Sequence, residues 1–508
     1  MDPFDSTDLF PPAPETAPGD GRSLPGRLRA GGEGLLCSLC NEVRLSALAP
    51  LESYSSPQLT LLFVDLLQRY PTLTPGSLVC RSCVEASERD LGRRQITEVG
   101  GTTHFVDLRL GRTPILSTPE RMNASPDYRG RGITIAFVDS GFAPHPDLIL
   151  PVNRVAAAYN AISGKEFRDI EGGLAESPPA SAWHGTMTAA VAAGNGRLSG
   201  GYYRGIASEA RLVLVKAMTA EGRIRTPQVR AALEWIRANH EKYDIRIVNL
   251  SVGVDEATRS LRHPVIALVE ELTRRGVTVV AASGNNPAKP LVPPGSAPSA
   301  ITVGGFNDNN TVDRSRHEAW YSSYGRTPTG ARKPELIGPA IWVAAPVLLH
   351  TQVKAEAEAL FYMVGADDDA LMRALPILAP ETAIARGLAA ARTPLEVRGL
   401  LLERIRDEKL INAHYKHVDG TSFAAPIVTS IVAQMLEAEP DLTPAQIKER
   451  LVASALPIEG MHAKKQGAGV PQADRVVGAE NAVTKTKGRG LFPRRGGEAG
   501  GRKKSSRS

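Results

Sequence analysis

Three widely separated stretches of the 508-residue sequence set a reactive side chain beside glycine: Asp139-Ser140-Gly141, His184-Gly185-Thr186 and Gly420-Thr421-Ser422. A serine hydroxyl is a weak nucleophile until an adjacent base takes its proton. Imidazole is the side chain whose proton affinity suits that task near neutral pH. A buried carboxylate beside the imidazole fixes its tautomer and stabilises the imidazolium. Asp139, His184 and Ser422 thus offer, in that chain order, the parts of a nucleophilic acyl-transfer site. His184 and Ser422 both stand before helix-forming stretches, MTAAVAAG and SFAAPIV, so the sequence predicts each at a helix N-terminus, near unpaired N–H groups and a positive dipole end. Taken singly, each has a plainer reading, and for Ser422 it is an N-cap serine.

The elements that must hold these groups begin at about residue 129. Apolar, β-branched runs at 133–138, 211–216, 245–250, 277–282 and 300–303 read as strands. Helical periodicity separates them at 226–240 and 261–276, the second ending on Gly276 as a C-cap. Two more helices are expected over 422–439 and from 443. Apolar strands alternating with helices imply an α/β fold with a doubly wound, mostly parallel sheet covered on both faces. Ligands bind such sheets beyond the carboxyl ends of the strands. Those ends carry Asp139, then Ser251-Val252-Gly253, then Ser283-Gly284-Asn285. Gly and Ser also end strands for turn reasons, and Asn285 alone reads as a turn asparagine.

Seven blocks in order resemble one family. DSGF…HPDL, HGTMTAA and DGTSFAAPIV look like the three signature segments of the subtilisin-like serine peptidases, and IVNLSVG, VVAASGNN, PSAITVGGF with YSSYG, and KPELIGP fall between them. The resemblance covers about 129–345 and 413–478. It implies a subtilisin-like fold and peptide-bond hydrolysis through an acyl-enzyme, with protein or peptide as substrate. It makes Ser422 the nucleophile, His184 the general base and acid, and Asp139 the orienting carboxylate. Asn285 and the Ser422 N–H become oxyanion donors, and Ser251, Val252 and Gly253 offer backbone groups to an extended peptide. HPDL contains His145, read as a surface-turn histidine, and Asp147, read as a turn residue rather than a calcium ligand, so calcium is possible but unsupported. His414 and His417 read as structural or exposed. The sequence departs from the family pattern in a shorter spacing before HPDL and in Met187 after His-Gly-Thr. No stretch before 129 reads as the usual inhibitory propeptide.

All four cysteines lie in two pairs, Cys37-x-x-Cys40 and Cys80-x-x-Cys83. Four thiolates suit a closed tetrahedral zinc site of structural use, although the 39 residues between the pairs exceed the usual spacing. Redox pairs and unrelated thiols are the alternatives. The expected organisation is a disordered stretch 1–33, a zinc-binding module 34–90 with a helix over 56–70, a connector 91–128, a peptidase domain 129–480 with a helical insertion at about 350–412, and a disordered tail 481–508. The insertion could cover the cleft, dock a partner or decorate the surface.

The net charge of +6 belongs to that tail: residues 485–508 carry +8, and the rest of the chain −2. A globally basic nucleic-acid surface thereby has no support from charge; the tail reads as a solvated, flexible end, with weak, salt-dependent binding of nucleic acid or an acidic partner as the alternative. No apolar run is long enough to cross a membrane and no secretory signal is visible, so the expectation is a cytoplasmic protein. The competing functional reading is an adaptor: the zinc module would dock a protein partner, and an inactive or weakly active peptidase fold would serve as a peptide-binding platform.

Overall fold

The computed structural model describes residues 111–477 continuously, and before them only 35–36, 43–44, 48–50, 78–80, 83 and 104–107. The expected disordered ends and the expected helix over 56–70 lie outside the described residues.

Nine strands form one sheet: β1 (Thr134–Asp139), β2 (Val155–Asn160), β3 (Lys165–Phe167), β4 (Arg211–Lys216), β5 (Ile245–Leu250), β6 (Thr278–Ala282), β7 (Ile301–Asn307), β8 (Glu318–Ala319) and β9 (Leu336–Pro339). Their order is β8-β7-β6-β5-β1-β4-β2-β3, with β9 also paired to β7. Pairing is parallel except at the short strands β3 and β8. From β1 the chain runs out to β2 and β3 on one side and returns to β4 beside β1, then crosses to the other side for β5 to β7. That reversal opens a crevice at the carboxyl end of β1, where Asp139 sits. Strand β2 was not anticipated. Half of its VAAAYN sequence is alanine, which carries little strand preference, and its place is set by pairing with β4.

Side chains alternate across the sheet and build two cores. Ile135, Phe137, Leu212, Leu214, Ile247 and Val280 pack with α1 (Pro179–Ala193) and the long helix Thr421–Ala438. Ala136, Val138, Val213, Val215, Val248 and Val279 face α2 (Thr226–Asn239) and α3 (Pro264–Arg274). Gly276, at φ +86°, follows the α3 cap Arg275 as its sequence position suggested.

Strands β10 (Val343–Pro346) and β11 (Tyr415–Val418) pair antiparallel. Between them run α4 (Gln352–Gly365), α5 (Asp368–Leu378), α6 (Ala385–Ala390) and α7 (Pro394–Asp407). The side chains of Thr351, Asp367 and Thr393 cap three of these helices. The helices enclose their own core of Leu360, Met363, Leu371, Leu378, Val397 and Leu401, into which Val79 is also packed. The excursion therefore starts and ends on neighbouring strands. β11 then runs through Asp419 directly into α8 (Thr421–Ala438), followed by α9 (Pro444–Ser454).

Candidate active site

Asp139, the last residue of β1, is fully buried. Burying a carboxylate is tolerable only when its oxygens are paired. Its Oδ1 accepts from the Ser140 N–H at 2.6 Å and lies 2.6 Å from His184 Nδ1; its Oδ2 accepts from the Thr188 hydroxyl at 3.0 Å. His184 and Thr188 stand four residues apart on one face of α1, so a single helix supplies two of the three partners. The helix comes this close because residue 185 is glycine. A Cβ there would lie 2.2 Å from the Gly141 carbonyl oxygen and 3.0 Å from Asp139 Cβ. α1 begins at Pro179, so His184 sits in its second turn rather than at its N-terminus as expected. Its protonation is governed by contact with Asp139 more than by the helix end. Burial pushes the imidazole pKa down, but the charge and hydrogen bond of Asp139 outweigh it, and the pKa ends above its ordinary 6.5.

Ser422 is the second residue of α8, behind the N-cap Gly420. Its hydroxyl donates to the Ser251 carbonyl at 3.2 Å. No hydrogen bond joins it to His184 in this structure. The imidazole nevertheless stands over the start of α8, its ring 5.5 Å from the ring of Phe423. Ser251 follows β5 and is buried, Val252 is half-buried, and Gly253 is exposed.

Asn285 follows β6 on an exposed turn. Its Oδ1 accepts from both the Thr421 N–H, at 3.0 Å, and the Thr421 hydroxyl, at 2.8 Å. The Thr421 hydroxyl in turn accepts from the Gly284 N–H at 3.1 Å. With its oxygen committed to Thr421, the amide presents Nδ2 as a donor beside the N-terminal turn of α8. The side chain thereby caps one orphan N–H of α8 and offers a donor of its own to a developing negative charge. Thr188 and Thr421, which orient Asp139 and Asn285, were not singled out from sequence. Their spacing, four residues after His184 and one before Ser422, is the signal that could have found them.

His145 is buried, contrary to its reading as a surface-turn residue; its Nδ1 accepts from the Asp147 N–H and caps the short helix Pro146–Ile149. The Asp147 carboxylate accepts from the Tyr415 hydroxyl at 2.7 Å and the Leu198 N–H at 3.4 Å. His414 and His417 are buried. Lys354 Nζ donates to His414 Nδ1 at 3.0 Å, and His417 Nδ1 is 3.0 Å from the Trp342 carbonyl. Among the described residues, no cluster of three or more His, Cys, Asp or Glu side chains could hold a metal ion. Cys80 ends the strand Leu78–Cys80 and Cys83 packs against the helical core, while Cys37 and Cys40 lie outside the described residues. Among the described residues, no helix is long and apolar enough to cross a membrane.

The Subtilase family profile matches residues 130–479, which contain every group of this site. The chain is 28% identical over 330 residues to serine protease AprX of Bacillus subtilis, covering 63% of this chain and 61% of that protein. It is 30% identical over 196 residues to subtilisin BL of Lederbergia lenta, covering 39% of this chain and 61% of that one. The chain therefore spans about 61% of the length of each of these curated relatives. Among solved structures, the crystal structure of fervidolysin from Fervidobacterium pennivorans, a keratinolytic enzyme related to subtilisin, aligns with 20% identity and a TM-score of 0.47. That alignment covers 75% of this chain and 47% of that one.

The raised pKa of His184 gives a titration prediction. The His184⁺–Asp139 pair stabilises the fold at low pH, and that contribution is lost as pH rises through the folded pKa. An NMR titration of His184 is expected to show a midpoint above 6.5, and Asp139→Asn is expected to move it below that value, since burial alone then acts. A midpoint unmoved by Asp139→Asn would separate the two groups functionally.

Proposed function

The chain belongs to the subtilase family, and we propose that it is a serine endopeptidase acting on protein or peptide substrates. The observation that carries the proposal is the pairing of the buried Asp139 with His184 at 2.6 Å, the imidazole standing over the helix start that bears Ser422. In the reaction, Ser422 Oγ bonds to the scissile carbonyl carbon while its proton passes to His184 Nε2. Asp139, held by Ser140 and Thr188, keeps the Nδ1 proton in place and stabilises the imidazolium. The carbonyl oxygen gains the negative charge, met by Asn285 Nδ2 and the Ser422 N–H. The C–N bond then breaks as His184 returns the proton to the leaving amine. Water repeats the sequence on the acyl-enzyme, releasing the acid and restoring the serine. The hydroxyl must first turn from the Ser251 carbonyl toward His184. That bond is long, and catalytic hydrogen bonds often tighten only when substrate is bound. The backbone at Ser251, Val252 and Gly253 is the proposed edge for an extended peptide, added as a strand.

A second proposal concerns the cysteines. The strands Leu35–Leu36 and Val43–Arg44, which flank Cys37 and Cys40 in the sequence, pair antiparallel. Cys80 ends a strand that lies against Leu35–Leu36. This placement favours Cys37, Cys40, Cys80 and Cys83 as ligands of one structural zinc ion, which would staple a segment too short to build a large core. Because Val79 is buried in the core of α4–α7, such a module would rest on those helices.

Three tests follow from these proposals. Ser422→Ala is expected to abolish hydrolysis of an unstructured protein with the fold retained, and a fluorophosphonate is expected to label Ser422 in the native chain. An unlabelled Ser422 and an unchanged cleavage rate in the variant would favour a peptide-binding platform instead. Asn285→Ala should lower kcat on the order of 10²–10³-fold with a smaller change in KM; a loss confined to KM would remove the oxyanion role. Purified protein should carry about one zinc per chain, lost in Cys37→Ser and Cys80→Ser; metal-free native protein would contradict the zinc site.

A further inference from the structure

In an α-helix each carbonyl accepts from the N–H four residues on. Four residues after Ser422 is Pro426, which has no N–H, so the carbonyl of the nucleophile has no helical donor. Left unpaired in a buried place, such a group costs on the order of 1–3 kcal/mol. Here the Ser251 hydroxyl donates to it at 2.8 Å. A carbonyl can only accept, so the single proton of Ser251 is committed. At its other bond, 2.9 Å from Asn249 Nδ2, Ser251 Oγ must therefore accept. That fixes the orientation of the Asn249 amide, and its Oδ1 accepts from the Thr429 hydroxyl at 2.9 Å. Every donor in the series has one partner and one direction.

Asn249 and Thr429 are fully buried, and Ser251 nearly so. Asn249 lies in the centre of the sheet, with β5 paired to β1 and β6 on either side. Thr429 is seven residues, two helical turns, beyond Ser422 on the same face of α8. The series therefore ties α8 to the sheet twice: at the Ser422 carbonyl that the proline releases, and two turns on at the Thr429 side chain.

We propose that Thr429, Asn249 and Ser251 form a relay of positioning residues that holds the nucleophile's backbone through its proline-freed carbonyl. The inference rests on the endopeptidase reading. None of the three needs to take part in proton transfer. Their effect is on where Cα of Ser422 sits, and from that atom both the attacking hydroxyl and the oxyanion-binding N–H are aimed. The side chain of Ser251 thus has a task separate from any contact its backbone makes with a peptide.

Thr429→Val removes the hydroxyl at nearly constant volume, and Thr429→Ser keeps it. Active sites are counted by fluorophosphonate titration, so that unfolded molecules do not enter kcat. Per titrated site, Thr429→Val is expected to lower kcat about 3–30-fold on a peptide substrate with KM changed less than about twofold, and Thr429→Ser to restore it to within about twofold. Ser251→Ala, which orphans the carbonyl itself, is expected to lower kcat about 10–100-fold. Wild-type kcat per titrated site in Thr429→Val, whatever its melting temperature, overturns the relay. So does an equal loss in Thr429→Ser, which would mark a packing role. A native chain that neither cleaves peptides nor takes the label overturns the endopeptidase reading, and the relay with it. A native chain that is active while the variants match it overturns the relay alone.

Discussion

A carboxylate can be shut away from water only if its oxygens are satisfied, and the crevice of the candidate active site is arranged around that requirement at Asp139. The order in which strands are added reverses at β1 and leaves the carboxylate at an open strand end. The nearest backbone supplies one donor, Ser140 N–H, and α1 must supply the rest. α1 can do so only by running against the turn after β1, a contact that Gly185 allows and any side chain at that position would obstruct. His184 and Thr188 then meet the carboxylate from one helix face. The pKa of His184, the tautomer that catalysis needs and the approach of α1 to the sheet all follow from that one pairing.

Much of this arrangement is legible in the sequence. The residues at the ends of β1, β5 and β6 were readable because strands of β-branched residues end abruptly in Gly- and Ser-containing turns, and the strand-end rule then gathers Asp139, Ser251 and Asn285 at one edge. The start of α1 was less readable. Alanine-rich helices give little periodic contrast, so His184 looked like the first residue of its helix although Pro179 begins it. Strand β2 was lost for the same reason, since a run of alanine takes its conformation from β4 beside it. The burial of His145 also could not be read from its neighbours. It is covered by elements far along the chain, including the one that brings Tyr415 to Asp147.

The helices α4 to α7 occupy a different kind of position. They leave and re-enter the sheet region on two paired strands, so their own core can form with little demand on the catalytic strands. Yet the return strand β11 leads within two residues to Gly420, and Asp419 between them accepts from the Trp342 N–H and is paired with Lys409 at the end of the excursion. The backbone entering the nucleophile turn is thus fixed from the helical side as well as by Gly420 N–H, which donates to the Ala340 carbonyl at 2.7 Å.

For the proposed reaction, helix α8 has to meet two demands at its first turn. It must leave N–H groups unpaired to receive an oxyanion, and it must not let the turn fray. Asn285 takes the Thr421 N–H, so the end is capped without consuming the N–H of Ser422. Pro426 releases the Ser422 carbonyl, and Ser251 takes it from the sheet side. Ser251 and Ser422 are in fact joined twice, hydroxyl to carbonyl in each direction, at 2.8 and 3.2 Å. The two bonds are not equivalent. The shorter is backed by Asn249 and Thr429 and has no alternative partner. The longer parks the Ser422 proton on an acceptor it can leave when His184 and a substrate carbonyl offer a better geometry. A nucleophile needs a fixed backbone and a free hydroxyl, and this pair of serines separates the two requirements.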